Sequence, residues 1–214
     1  MIALMLALVI VSMRSVSATD SKPHWWYRLH VSNQPTCVAV AVEEHWLITP
    51  WHCVQLPGQF QTFEKKTLFV KGVDGKSIKI KKVITPHNRY RHLGDIQGRD
   101  IALLQLNTKL EKWLPLSQHV KRLKAPLTVA LIDSQRVHFL KITPLQIENK
   151  LILTSNITCK GDSGVPLIDE HHTLVAIASW HSGRRCNETG NISFFNRVDI
   201  FSSWIHNQIG NPVN

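Results

Sequence analysis

The feature that most limits how this chain can fold is a long series of short apolar segments separated by polar turns. The segments are rich in Val, Ile, Leu and Phe, with a turn about every ten residues. They are Val38–Val42, Trp46–Ile48, Leu68–Val70, Ile78–Ile84, Ile101–Leu106, Leu127–Ile132, Val137–Ile142, Leu151–Thr154, Val165–Ile168, Leu174–Trp180 and Ile192–Val198. Apolar runs this short, bounded by turn residues, are typical of β-strands. The chain is therefore predicted to be all-β.

One segment, at the C-terminus, has a different period. Its apolar residues recur every three or four positions, at Val198, Phe201, Trp204, Ile205 and Ile209. An α-helix places residues at this spacing on one face. We expect a C-terminal helix over about residues 198–209, with one buried face.

The N-terminal residues have the features of a secretory signal peptide. The run Ile2–Val11 is continuously apolar, and the small-residue triplet Val16-Ser17-Ala18 follows it. This pattern predicts a signal peptide over residues 1–18, a mature domain over residues 19–214 and a secreted, extracellular protein. A retained anchor is the less favoured alternative, because Ser12 and Arg14 end the run before the roughly 20 residues that a stable membrane span needs.

Four cysteines, at positions 37, 53, 159 and 186, can pair in three ways. Secretion exposes a chain to an oxidising compartment, in which disulfides form. Proximity in sequence favours Cys37 with Cys53 and Cys159 with Cys186. Each bond would stabilise the fold by on the order of 3 kcal/mol.

The net charge of +10 is confined to one part of the chain. Residues 61–124 contain fifteen Lys or Arg and five Asp or Glu, whereas the rest of the chain contains ten of each. A sulfated glycan or another polyanion that binds the segment Lys65–Arg99 is therefore a possible partner, and a solvated basic face is the alternative. We expect no nucleic-acid partner, because no aromatic residues are interleaved with these charges.

Patterns for metal binding and for glycosylation differ in strength. The twelve histidines, including His87, His92 and the pair His171-His172, form no recognised ligand spacing, so we expect neither a metal ion nor a cofactor. Sequons for N-glycosylation begin at Asn156, Asn187 and Asn191. Such short patterns are also common by chance.

Three motifs carry residues that could perform chemistry. His52 follows an apolar strand and stands beside Cys53, and a tethered imidazole is suited to general-base chemistry. Asp100 precedes the apolar strand Ile101–Leu106, where a partly desolvated carboxylate requires a partner such as an imidazole N–H. Glycines flank Ser163 in the run Gly161-Asp162-Ser163-Gly164, so backbone N–H groups can turn inward beside its hydroxyl.

The order His, Asp, Ser, with a cysteine near the first and the last, resembles the chymotrypsin-like (trypsin-like) serine peptidase family over about residues 25–209. The resemblance implies two six-stranded antiparallel β-barrels, over about residues 25–115 and 120–197, with the reactive residues in the cleft between them and the helix at 198–209 behind. It also implies a secreted serine endopeptidase acting on a protein or peptide substrate.

The resemblance implies a role for each residue of these motifs. Ser163 would be the nucleophile, His52 the general base and then acid, and Asp100 the residue that holds the imidazole tautomer. The N–H groups of Gly161 and Ser163 would form the oxyanion hole. Cys159, bonded to Cys186, would fix that loop.

Substrate specificity follows from the same comparison. The position that sets specificity in this family lies six residues before the serine, and here it is Ile157. The other pocket residues would be Ser179, Trp180, His181 and Ser193. Without an acidic residue at position 157, we expect cleavage after small or apolar residues and not after Lys or Arg.

Several positions depart from the family pattern. No Ile-Val-Gly-Gly N-terminus is present to pair with Asp162, the residue after Gly164 is Val165 and not a second glycine, and Pro50-Trp51 precede the histidine. These departures support an alternative hypothesis, in which the chain is a catalytically silent homologue that binds a polyanion or another protein.

Overall fold

The computed structural model describes residues 24–55, 67–86, 99–118, 120, 126–133, 136–183 and 190–210. These residues form strands and one α-helix. The elements are β1 Trp26–Val31, β2 Gln34–Glu43, β3 Trp46–Thr49, β4 Leu68–Lys71, β5 Ser77–Ile84, β6 Ala102–Leu106, β7 Leu127–Asp133, β8 Arg136–Ile142, β9 Gln146–Ile147, β10 Leu151–Ser155, β11 Pro166–Ile168, β12 Leu174–His181, β13 Ile192–Arg197 and α1 Ser202–Ile209.

The strands form two antiparallel units. The first is a closed barrel in the order β1-β2-β3-β6-β5-β4. The second is a curled seven-stranded sheet in the order β8-β7-β11-β12-β13-β10-β9. It has one strand more than the six expected, because the two-residue β9 pairs with β10 through Ile147 and Ile152. The predicted all-β, chymotrypsin-like architecture is confirmed.

Strand β1 shows how the barrel is built and how it meets the second unit. Successive residues of a strand face opposite sides of the sheet. Tyr27, Leu29 and Val31 pack into the core of the barrel, whereas Trp26 belongs to a cluster that also contains Phe195 of β13. One face of the barrel therefore packs directly on the second sheet.

The C-terminal helix is present but shorter than predicted. Residues Asp199–Phe201 form a 3-10 turn, and α1 begins at Ser202. Ile205 is fully buried and Phe201 nearly so, as the apolar spacing predicted. The two residues pack against the cluster that contains the second sheet.

Some predictions concern residues outside the described part of the chain. The signal peptide at 1–18, Cys186, the sequon at Asn187 and part of the segment Lys65–Arg99 lie there. Among the described residues, no helix is both long enough and apolar enough to cross a bilayer.

Candidate active site

His52 is held by a turn whose other residues belong to the barrel core. The turn, Trp51–Cys53, is a 3-10 turn directly after β3. Trp51 and Cys53 are buried inside the barrel, and Cys53 forms the predicted disulfide with Cys37 of β2. Trp51, which departs from the family pattern, is thus part of the barrel core. The His52 side chain remains 38% exposed.

Asp100 lies beside His52 because β3 pairs with β6, and Asp100 stands just before β6. The residue is 1% exposed. Its carboxylate accepts hydrogen bonds from the His52 backbone N–H at 2.9 Å, from His52 Nδ1 at 2.6 Å and from the Ser179 hydroxyl at 2.5 Å. Asn196 donates to its backbone carbonyl at 3.0 Å. The buried charge is thereby paired and hydrogen-bonded, as a desolvated carboxylate requires.

Ser163 stands in a tight turn between the two units. Asp162 donates its N–H to the Cys159 carbonyl at 3.0 Å and accepts from the Cys159 N–H through Oδ2 at 2.8 Å. The Ser163 carbonyl accepts from the N–H of Val38 in β2 at 2.7 Å. The second sheet supplies the turn, and the first barrel anchors it.

Gly164 permits this approach of the two backbones. Its φ is +92°, and a Cβ built at this position would lie 1.9 Å from the Val38 carbonyl oxygen. No other residue type fits there without movement of the strand or the turn. Val165, the next residue, is fully buried in the core.

The three side chains form one chain of hydrogen bonds. Ser163 Oγ lies 3.0 Å from His52 Nε2 and 3.3 Å from the Ser179 carbonyl oxygen. The ionised Asp100 can only accept, so a neutral His52 carries its proton on Nδ1 and leaves Nε2 free to accept from Ser163. Burial lowers the pKa of His52, but the hydrogen bond and the charge of Asp100 outweigh it, so the pKa is raised above 6.5.

The turn before Ser163 offers backbone donors. Gly161 has a φ of +99°. Within the described part of the chain, the N–H groups of Gly161 and Ser163 have no hydrogen-bond partner. Arg28 of β1 donates through one guanidinium nitrogen to the Gly161 carbonyl at 3.2 Å and through the other to the Ile132 carbonyl at 3.0 Å. Arg28 thus ties the turn to the first barrel and to β7.

Residues predicted to form the specificity pocket are only partly brought together. The Ser193 hydroxyl accepts from the N–H groups of Ile157 at 3.0 Å and Thr158 at 3.2 Å, and Ser193 pairs with His181 between β13 and β12. Ile157, His181 and Ser193 are therefore neighbours. The Ser179 hydroxyl instead faces Asp100.

Trp180 is the exposed member of the predicted pocket. The side chain is 41% exposed and stacks on Phe194 with ring centroids 3.7 Å apart. Its neighbour His181 has a buried Nδ1 with no hydrogen-bond partner among the described residues. The Nδ1 atom of His181 is thus a buried polar group beside Ile157 that has no such partner.

The cysteines that the structure describes are all in disulfides. The one group of metal-ligand residue types found in the described residues is Cys37, His52 and Cys53. Both sulfurs are in the Cys37–Cys53 disulfide and cannot act as thiolates. Cys159 is also disulfide-bonded, and its predicted partner, Cys186, lies outside the described residues.

The described part of the basic segment lies mainly on β4 and β5. Lys79 and Lys81 are exposed on β5, and Lys76 forms an ion pair with Asp74 at 3.2 Å. The strand alternates these charges with the buried Ile80. A solvated face of an amphipathic strand accounts for this pattern.

The sequence did not identify three residues that hold Asp100 or the Ser163 turn in place: Arg28, Val38 and Asn196. Arg28 carried a usable signal, because a cation in the middle of the alternating segment Trp26–Val31 needs a partner outside the barrel core. Val38 and Asn196 carried none, since their roles come from the register of strands distant in sequence.

Comparisons with known proteins place the chain in a family. A family model described as Trypsin matches residues 10–132 and 117–205. Serine protease 56 of Mus musculus is 25% identical over 86% of this chain, which spans 36% of that protein's length. Coagulation factor IX of Cavia porcellus is 23% identical over 89% of this chain and 80% of its own length. Chymotrypsin-like elastase family member 1 of Homo sapiens is 21% identical over 92% of each chain.

Proposed function

This chain belongs to the trypsin family, and on that premise we propose that it is a secreted serine endopeptidase with Ser163 as the nucleophile. The observation that carries the proposal is the continuous contact of three side chains. His52 Nε2 lies 3.0 Å from Ser163 Oγ, and His52 Nδ1 lies 2.6 Å from the buried Asp100 carboxylate. This arrangement supports a serine activated by an oriented base.

In the proposed first step, Ser163 Oγ attacks the substrate carbonyl carbon while His52 Nε2 takes the hydroxyl proton. The imidazolium that forms is stabilised by the carboxylate of Asp100, which stays ionised. The N–H groups of Gly161 and Ser163 are donors suited to the developing oxyanion, each contributing about 3 kcal/mol in sites of this kind.

The second step returns the proton and completes hydrolysis. His52 Nε2–H protonates the leaving amine as the C–N bond breaks, and an acyl-Ser163 ester remains. Water then loses a proton to the same nitrogen as it attacks the ester, which releases the acid and restores the Ser163 hydroxyl. Ser179 supports both steps, since its hydroxyl donates to Asp100 Oδ2, the same oxygen that accepts from His52 Nδ1.

We propose cleavage after small or apolar residues and not after Lys or Arg. Ile157 offers no negative charge to a basic side chain. The Ser193 hydroxyl is already used by the backbone of Ile157 and Thr158, so the apolar Ile157 side chain is the feature of this region that supports the proposal.

Secretion is the proposed route to the active protein. The Cys37–Cys53 disulfide joins the residue before Val38 to the residue after His52. Disulfides of this structural kind form and persist in oxidising compartments. The Cys37–Cys53 disulfide beside His52 therefore favours an extracellular location.

The test is labelling of purified mature protein with a fluorophosphonate probe. We expect one labelled residue, Ser163, with loss of labelling in Ser163→Ala and in His52→Ala. Ser155→Ala is the matched control, because Ser155 is exposed at the end of β10 and should not alter the rate. Well-folded protein that resists the probe would instead favour the silent homologue.

A further inference from the structure

Two residues of the first barrel hold the two residues that are proposed to supply the oxyanion donors. Arg28 of β1 donates a side-chain hydrogen bond to the Gly161 carbonyl at 3.2 Å. Val38 of β2 donates its backbone N–H to the Ser163 carbonyl at 2.7 Å. Arg28 and Val38 are direct partners across β1 and β2. One cross-strand pair therefore restrains both residues whose N–H groups are the proposed donors.

Gly161 has no side chain whose packing could hold it in place. Its φ is +99°, and no atom of the described residues lies within 4 Å of the position that a Cβ would take. Glycine also populates more backbone conformations than other residues do. The orientation of Gly161 is therefore set by hydrogen bonds. Among the described residues, Arg28 is the one donor to its carbonyl.

The peptide unit between Gly161 and Asp162 is held at both ends. Its carbonyl accepts from Arg28, and its N–H, which belongs to Asp162, donates to the Cys159 carbonyl at 3.0 Å. Because a peptide unit is planar, hydrogen bonds to its carbonyl and to its N–H together fix how it is turned. Loss of the Arg28 bond removes one of these two restraints. The preceding peptide unit, which carries the Gly161 N–H, can then turn about the glycine.

Arg28 is itself anchored, so its hydrogen bond to the turn has a fixed direction. The second guanidinium nitrogen donates to the Ile132 carbonyl of β7 at 3.0 Å. A guanidinium is planar, keeps its charge and presents its N–H groups in fixed directions. One side chain can therefore brace two carbonyls on separate elements. Hydrogen bonds from a charged donor are also about twice as strong as neutral ones.

We propose that Arg28 is a positioning residue for the hydrolysis, because it keeps the Gly161 N–H turned toward the developing oxyanion. The role rests on the proposed peptidase function, but the restraint on the turn exists without turnover. Arg28 acts through the Gly161 peptide and not through the reacting atoms. Its removal therefore slows the chemical steps and leaves the affinity for the ground-state substrate nearly unchanged.

The first experiment measures kcat and KM of Arg28→Met, which keeps an unbranched side chain but has no donor. We expect kcat to fall about 100-fold, the usual effect of losing one oxyanion donor, with KM within about threefold of wild type. Lys71→Met is the matched control, because Lys71 is the partner of Arg28 across β1 and β4 and the same charge is lost. Its kcat should equal that of wild type. A kcat within about threefold of wild type in Arg28→Met overturns the proposal, as does an equal fall in Lys71→Met.

Arg28→Lys carries the same test if Arg28→Met does not fold. The charge remains, but a single ammonium replaces the two nitrogens that reach separate carbonyls. We expect kcat to fall about tenfold in this variant, with KM unchanged. A kcat equal to that of wild type overturns the proposal.

The second experiment separates the turn from the chemistry. In Ser163→Ala protein, which cannot form an acyl-enzyme, hydrogen exchange of the Asp162 N–H is followed by NMR. Adding Arg28→Met should make this exchange about tenfold faster, because the turn opens more often, and adding Lys71→Met should leave it unchanged.

The outcomes separate this role from the peptidase function. If the fluorophosphonate probe fails to label Ser163 while the exchange of Asp162 still depends on Arg28, the peptidase function fails and the restraint on the turn stands. If Ser163 is labelled and the exchange does not depend on Arg28, the peptidase function stands and the role of Arg28 is overturned. Faster exchange with an unchanged kcat also overturns it, because the contact is then only structural.

Discussion

Replacing Gly164 with alanine tests whether the close approach of β2 to the Ser163 turn controls reactivity. The new Cβ would lie 1.9 Å from the Val38 carbonyl oxygen, whereas ordinary contact begins at 3.4 Å. The two backbones must therefore separate by about 1.5 Å, the difference between those two distances. Val38 also donates to the Ser163 carbonyl at 2.7 Å, so a shift of this size breaks the hydrogen bond that anchors the turn.

The expected effect on reactivity is large because Ser163 is displaced along with its backbone. A misplacement of about 1 Å at a reacting group can cost about 100-fold in rate. We expect the second-order rate constant for fluorophosphonate labelling of Gly164→Ala to fall by about 100-fold or more. Adopting a positive φ adds about 1–2 kcal/mol to the loss of folding stability.

Gly190→Ala is the matched control. Gly190 has a φ of +86°, but no atom of the described residues lies within 4 Å of the position its Cβ would take. This variant should lose only the positive-φ cost of about 1–2 kcal/mol in urea unfolding and keep the wild-type labelling rate. If folded Gly164→Ala labels within about twofold of wild type, the contact between β2 and the turn does not control the serine, and our reasoning is wrong.

Four further predictions concern the support of His52. The labelling rate should fall as the pH decreases through the raised pKa of His52, with a midpoint above 6.5, because only the neutral ring accepts the Ser163 proton. Asp100→Asn should move that midpoint down and reduce the maximal rate by about 10⁴-fold, as measured by the same pH profile. Ser179→Ala should lower stability by about 1.5–3 kcal/mol in urea unfolding, since a buried carboxylate loses a donor. Replacing Cys37 and Cys53 with alanine should cost about 3 kcal/mol in the same assay, because the bond closes a loop with a sequence separation of 16.

Continuous apolar runs predicted most of the strands. They did not predict β1, whose apolar residues alternate with polar ones, or the very short β9. Strand β1 alternates Tyr27, Leu29 and Val31 with residues of the opposite face. The polar residues Arg28 and His30 interrupt this segment, so it contains no continuous apolar run. Strand β9 has two residues, and a pair of residues has no period to detect.

His52, Asp100 and Ser163 could be proposed from sequence because each stands in a local motif, whereas the residues that support them are placed by the tertiary register of distant strands. Arg28 is 133 positions from Gly161, and Asn196 is 96 positions from Asp100. No local pattern specifies which strand will lie beside a turn at such separations. Arg28 and Lys71 likewise become neighbours only when β1 pairs with β4.

Asp100 receives donors from both halves of the molecule, because His52 follows a strand of the first barrel and Ser179 lies in the second sheet, and both donate to Oδ2. Neither half alone can assemble a reactive serine, so a chain divided between the units should be silent until its fragments recombine. On the proposed peptidase function, a nascent or partly opened chain therefore lacks a competent nucleophile until both units have folded together.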